Sequence, residues 1–123
     1  MSRLACLVSA LALAACAHAR TAAEYSADTN TALAAHDSDI KSCYDKVLAT
    51  TPKAAGHVSI KFAVEPKTGK IVDPTIDAAK TTAPQDVSQC VLGAVSTAAI
   101  TPGDRNRGEA TWSWDFNAPP AAN

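Results

Sequence analysis

The most reactive side chains in this chain belong to its four cysteines, at positions 6, 16, 43 and 90. Thiols can form disulfides, carry lipid, bind metal or act as nucleophiles, and their spacing and surroundings decide between these roles. The spacing contains no Cys-x-x-Cys redox motif, and no basic residue is placed to hold a reactive thiolate. No nucleophile, base and orienting group can be assembled from the other residue types either. The sequence therefore predicts a protein that is not an enzyme, with no catalytic residues.

The first two cysteines belong to a leader-like segment. Arg3 precedes an apolar run over residues 4–15 that is too short to span a bilayer as an ordinary anchor. These features predict a signal peptide over residues 1–15. The run ends in Leu13-Ala14-Ala15-Cys16, which resembles the bacterial lipobox. That resemblance implies cleavage before Cys16, diacylglycerol on its sulfur and acylation of the new amino terminus. The alternative is a plain export signal cut after Ala19.

The residue after Cys16 bears on location. It is Ala17, whereas Asp at this place marks inner-membrane retention in enteric bacteria. By this resemblance the protein is expected to be an outer-membrane lipoprotein that faces the periplasm. Three acyl chains would hold it stably, because a single chain binds a membrane only marginally. The net charge of -1 gives no general attraction to nucleic acid, so no nucleic-acid partner is expected.

The segment after the leader has no sustained hydrophobic period. Residues 16–36 are therefore predicted to be a flexible tether, although residues 31–35 could extend the following helix backwards. The folded domain is predicted over residues 37–117, and residues 118–123 are predicted to be a disordered tail.

Three stretches of the domain have the period of strands. Apolar side chains fall on every second residue of 57–64, which predicts a strand with one buried face. Residues 71–77 read as the return strand of a hairpin, in which Pro74 suits an edge or a bulge. Residues 109–116 read as the third strand, with Trp112 and Trp114 on its core face.

Two helices complete the domain, because their apolar residues recur every three to four positions. We expect an α+β fold in which a three-stranded antiparallel sheet carries both helices on its apolar face. The opposite face, with Ser59, Lys61, Thr111 and Ser113, is left to solvent or to a partner. The two stripes are Ile40, Cys43, Tyr44, Val47 and Leu48, and Val87, Cys90, Val91, Ala94, Val95 and Ala98.

The remaining two thiols, Cys43 and Cys90, occupy equivalent places in these stripes. Each lies three residues after the first apolar position and therefore points towards the core. An exported protein enters a compartment that oxidises thiols, so we predict a disulfide between them. The alternative is a pair of free buried thiols, which pack well as small apolar groups.

From Cys43 to Phe116 the pattern resembles the carboxy-terminal domain family AgmX/PglI, a relative of the TonB carboxy-terminal domain. The residues that carry this resemblance are Cys43-Tyr44, Pro52 with Gly56, the alternating strand 58–64, Gly69, Cys90-Val91 and Trp114-Asp115-Phe116. It implies a non-enzymatic component of a cell-envelope assembly, of gliding-motility or TonB-like type. It also implies the TonB-like order helix–strand–strand–helix–strand and peptide binding by addition of a strand to a sheet edge. A lipobox in place of a transmembrane anchor argues against force transduction.

These observations predict a lipid-anchored envelope protein that binds another envelope protein through a sheet edge. The alternatives are a secreted periplasmic protein that is a structural component associated with the cell wall, or an inhibitor. His18, His36 and His57 share no ligand spacing with a carboxylate or thiol, so no metal and no cofactor are expected.

Overall fold

The computed structural model describes residues 19–119, which contain three helices and one three-stranded antiparallel sheet. From residue 37 onwards the order of elements is the predicted one, and the α+β class is confirmed. None of the helices in the described part is both long and apolar enough to cross a membrane. The elements are α1 (Ala22–Ala34), α2 (Asp37–Thr50), β1 (Gly56–Val64), β2 (Ile71–Ile76), α3 (Gln85–Val95) and β3 (Gly108–Phe116).

β1 is the central strand of the sheet, whose strand order is β2-β1-β3. It pairs with β3 along its whole length, from Gly56 opposite Phe116 to Val64 opposite Gly108. Its alternate residues face the helices and are almost completely buried, since Val58 and Ile60 are 0% exposed. The period of two that predicted this strand therefore reflects the single face that it turns towards the helices.

The helices lie on the apolar face of the sheet and complete one core. Its helical members include Leu33 of α1, Ile40 and Tyr44 of α2, and Val87 and Val91 of α3. Trp112 and Trp114 are partly buried and pack against the same core, as predicted from the alternation in β3. Both side chains stay partly exposed because β3 is an edge strand.

β2 is the other edge strand, and it is irregular. Val72 and Thr75 pair with Ala63 and Lys61, so two residues of β2 lie opposite the single residue between them in β1. The extra residue makes a β-bulge at Asp73, whose φ is 52°, and Pro74. The prediction that Pro74 belongs to an edge strand or a bulge is confirmed, because both descriptions apply.

The structure corrects the prediction of a flexible tether. Residues 22–34 form α1, which begins with a reciprocal cap: the Glu24 N–H donates to Thr21 Oγ1, and the Thr21 N–H donates to Glu24 Oε2. Leu33 and Thr29 are buried against the domain, at 2% and 1% exposure. The domain thus has three helices rather than two. The predicted signal peptide, Cys16 and the last four residues lie outside the described residues.

The connector after β2 runs beside the first half of β1. The N–H of Asp77 donates to Ser59 O at 2.8 Å, and the N–H of Thr82 donates to His57 O at 2.8 Å. The Ser59 N–H donates to Thr81 Oγ1 at 3.1 Å. Ser59 is therefore fully buried, contrary to the expectation that it faces solvent, whereas Lys61, Thr111 and Ser113 are exposed as expected.

Candidate functional site: the outer edge of β3

The predicted disulfide is present. Cys43 of α2 and Cys90 of α3 are joined, with their Cα atoms 5.6 Å apart. The bond ties the two helices to each other on the same face of the sheet, and it closes a long loop that contains β1 and β2. The two cysteines therefore serve as a structural cross-link.

The hydrogen bonding of β1 determines which backbone groups of β3 are free. On the side of β2, the backbone groups of His57 and Ser59 bond to the connector. In a strand, successive residues direct their N–H and C=O groups to opposite sides. The residues that alternate with them, Val58 and Ile60, therefore bond to β3, where they lie opposite Trp114 and Trp112.

Four residues of β3 alternate with those that bond to β1, namely Glu109, Thr111, Ser113 and Asp115. Their backbone N–H and C=O groups must then point away from the sheet. Within residues 19–119, none of these four N–H groups and four C=O groups has a hydrogen-bond partner. The strand that carries them is nine residues long and pairs with β1 without a register shift. This row of groups, which we call the open edge, belongs to Glu109, Thr111, Ser113 and Asp115.

A groove follows the open edge. It lies between the first half of α1 and β3, with a volume of about 370 Å³. Tyr25 lies over the start of β3, where a Cβ on Gly108 would approach the Tyr25 hydroxyl to 1.9 Å, so a larger residue there would have to displace the Tyr25 ring. Burial raises the pKa of Tyr25, and the nearby Asp104 carboxylate raises it further by a smaller amount. The groove is lined by Ala22, Tyr25, Ser26, Thr29, Glu109, Ala110, Thr111 and Trp112.

Two hydroxyls in the groove wall lack hydrogen-bond partners. Tyr25 Oη and Thr29 Oγ1 are buried, and neither bonds to any group among the described residues. Buried polar groups are normally satisfied, because leaving one unpaired costs about 1–3 kcal/mol. The groove therefore combines unpaired backbone groups on one wall with unpaired hydroxyls on the other.

The opposite edge of the sheet is not equivalent. At the start of β2, the Ile71 N–H donates to Ala98 O at 3.3 Å, and Lys70 forms a bridge with Ala99. Further along, Pro74 has no N–H and the bulge bends the strand. Only the open edge of β3 offers a regular template for another strand.

The outer face of the sheet carries a shallow depression of about 400 Å³. Both cations of its lining are paired with carboxylates: Arg107 lies 3.2 Å from Asp73, and Lys61 lies 3.5 Å from Asp77. Arg107 and Asp73 are both exposed, so their pair contributes little stability. The depression presents a salt-bridged surface rather than an assembled set of reacting groups.

The described histidines are far from each other in the fold. His57 Nδ1 lies 2.7 Å from Asp115 Oδ1 on the outer face, whereas His36 Nδ1 lies 3.7 Å from Asp39 Oδ2 at the start of α2. In the part of the chain that the structure describes, no three potential metal ligands come together. His18 lies outside that part.

A buried ion pair at the beginning of α1 was not predicted. The Arg20 N–H donates to Asp104 Oδ2 at 2.8 Å, and Arg20 Nε donates to Asp28 Oδ2 at 2.5 Å. The guanidinium also donates to Pro102 O, and the Arg20 side chain is 2% exposed. The N–H groups of Asn106 and Arg20 hold the pKa of Asp104 below its ordinary value. This contact, the Arg20 clasp, fixes the start of α1 to the loop before β3.

Comparison with known proteins adds no relative to this description. No family model, curated protein or solved structure matches the chain. The AgmX/PglI resemblance therefore rests on the residues quoted above.

Proposed function

We propose that this chain is a non-enzymatic bacterial envelope lipoprotein whose domain binds an extended partner segment along the open edge of β3. The observation that carries the proposal is the row of unpaired backbone groups on a strand that pairs without a bulge. Natural proteins usually protect such edges with bulges, prolines or covering segments, as β2 does here. An edge left open and bordered by a groove is suited to the addition of a strand from a partner.

The chemistry of the groove indicates the kind of segment that fits. An added strand would form backbone hydrogen bonds with the open edge, each with a net contribution of about 0.5–1.5 kcal/mol. Its alternate side chains would face the helices and cover the partly exposed rings of Trp112 and Trp114. The other side chains would lie beside Glu109 and Thr111 on the outer face. The expected partner is therefore an extended segment of an envelope protein with apolar residues at every second position.

The resemblance to a lipobox supports a location at a membrane. Acylation of Cys16 would place the domain at a membrane, and Ala17 favours the outer membrane with the domain in the periplasm. The order from α2 to β3 agrees with the helix–strand–strand–helix–strand unit of TonB-like domains, which bind peptides by strand addition. This agreement supports membership of an AgmX/PglI or TonB-like envelope assembly, and it adds to the argument from the open edge.

Replacement of one outward-facing amide should prevent binding. In Ser113→Pro the edge loses the N–H of Ser113, while the N–H groups that bond to β1 remain. With a photoreactive benzoylphenylalanine at Thr111, we expect cross-links to an envelope protein in the parent chain. We expect these cross-links to fall at least tenfold in Ser113→Pro.

Ser113→Ala is the matched control, because it removes the same hydroxyl and keeps the amide. It should cross-link as the parent does, and both variants should unfold cooperatively within about 1 kcal/mol of the parent. Equal cross-linking in the proline and alanine variants would contradict binding by strand addition.

The mass of the mature amino terminus tests the anchor. We expect a chain that begins at Cys16 and carries diacylglycerol and an amide-linked acyl group, which requires detergent for extraction. Cys16→Ser should shift the protein entirely to the detergent-free fraction. An unmodified mature chain that begins at Arg20 would instead support the secreted alternative.

A further inference from the structure

The turn between β1 and β2 and the loop before β3 pack together at one end of the sheet. The Lys67 N–H donates to Asp104 O at 2.7 Å, and the Ile100 N–H donates to Gly69 O at 2.7 Å. A Cβ on Gly69, whose φ is +70°, would come within 1.8 Å of Ile100 O, so the two segments are in direct contact. The exposed cations that this contact brings together, which we call the basic end, are Lys67, Lys70 and Arg105.

The cations of the basic end are not neutralised by the domain. Among residues 19–119, none of the three has a carboxylate within 4.0 Å, whereas Arg107 is paired with Asp73. Asp104 is buried and already held by the Arg20 clasp. The remaining acid of the turn is Glu65, whose Oε2 accepts a hydrogen bond from Thr68. Within the described part of the chain, the basic end therefore presents three unpaired cations and one exposed carboxylate.

The chain reaches the domain at this same end. Arg20 is bonded to Asp104, and Cys16 precedes it by four residues. Even a fully extended chain spans only about 3.4 Å per residue, so an acyl anchor four residues before Arg20 would hold the Arg20 clasp within about 14 Å of it. If Cys16 carries acyl chains, the basic end is the part of the domain that is held nearest to the headgroups.

We propose that the basic end docks on anionic lipid headgroups, an inference that rests on the proposed lipid anchor. An anionic surface would attract each of the three cations, and at short range each adds independently to the free energy of membrane binding. In this orientation β3 begins at the membrane with Gly108 and leads away from it towards Phe116. The open edge then extends into the periplasm, where a partner segment can reach it.

The test uses a chain that begins at Cys16, with the Cys16 thiol blocked by N-ethylmaleimide and the disulfide intact. This chain contains every element of the described fold and no lipid, so its behaviour does not depend on whether Cys16 is acylated in the cell. Co-sedimentation is measured at low salt with vesicles of phosphatidylcholine, with and without phosphatidylglycerol. We expect binding only when phosphatidylglycerol is present.

The charge variant is Lys67→Ala/Lys70→Ala/Arg105→Ala. Its affinity for the anionic vesicles should fall about fivefold per residue, or about 100-fold in total. The matched control is Lys46→Ala/Lys53→Ala/Lys80→Ala, which removes the same charge from exposed residues near the other end of β1 and should change affinity less than about threefold. Equal losses in the two triple variants, or equal binding to both kinds of vesicle, would overturn the docking proposal and leave acylation of Cys16 untouched.

Discussion

Replacing both cysteines of the cross-link with alanine should lower the free energy of unfolding by about 4 kcal/mol. Cys43 and Cys90 are separated by 47 positions, and closing a loop of this length removes many conformations from the unfolded chain. A domain of this size has a total stability of about 5–15 kcal/mol, so the cross-link accounts for a large share. The melting temperature should fall by more than about 15 °C.

Urea unfolding of three samples measures this effect: the oxidised parent, the parent reduced with dithiothreitol, and Cys43→Ala/Cys90→Ala. Because the loop constraint is absent from the last two, we expect them to be destabilised to a similar extent. A loss smaller than about 1 kcal/mol in both would show that the disulfide does not hold α2 and α3 in place.

The second large effect is expected in the central strand. Ile60 is 0% exposed in the middle of β1, so Ile60→Ala removes buried methyl groups and leaves a cavity between the sheet and α3. We expect a loss of about 3 kcal/mol in the free energy of unfolding. Urea unfolding with the disulfide intact measures it.

Ile76→Ala is the matched control, because Ile76 lies directly opposite Ile60 in the sheet register but is only partly buried in β2. The same chemical change should cost about 1 kcal/mol there, since less apolar surface leaves water. If both variants lost the same stability, β1 would not be the buried centre of the sheet.

The period of two was sufficient to predict the strands, because β1 and β3 each have one face on the core. Pro74 predicted the irregular edge for a local reason, since a proline cannot donate to a neighbouring strand. The disulfide followed from equivalent positions in two helical stripes. Each of these signals is contained within a few neighbouring residues.

What the sequence did not predict depends on distant residues. α1 has a sparse apolar face, and Leu33 becomes a core residue only through packing on the rest of the domain. The Arg20 clasp joins residues separated by 84 positions. The Thr82 hydroxyl accepts a hydrogen bond from the His57 N–H at 2.9 Å, across 25 positions.

The open edge itself could not be assigned from the sequence. Three strands were predicted, but β3 could pair with either strand of the hairpin, and the choice decides which edges remain free. The structure places β3 on β1, opposite the bulged β2. The regular edge thus results from the strand order and from the phase of the β1–β3 hydrogen bonds, neither of which is encoded in a short motif.

Amide hydrogen exchange of the free protein, followed residue by residue by NMR, tests the open edge most directly. The amides of Ala110, Trp112 and Trp114 bond to β1 and should exchange at least ~100-fold more slowly than those of Thr111, Ser113 and Asp115. A uniform slow rate along β3, or the reverse alternation, would show that this edge is already paired or that its free groups are other ones. Either result would contradict strand addition at β3.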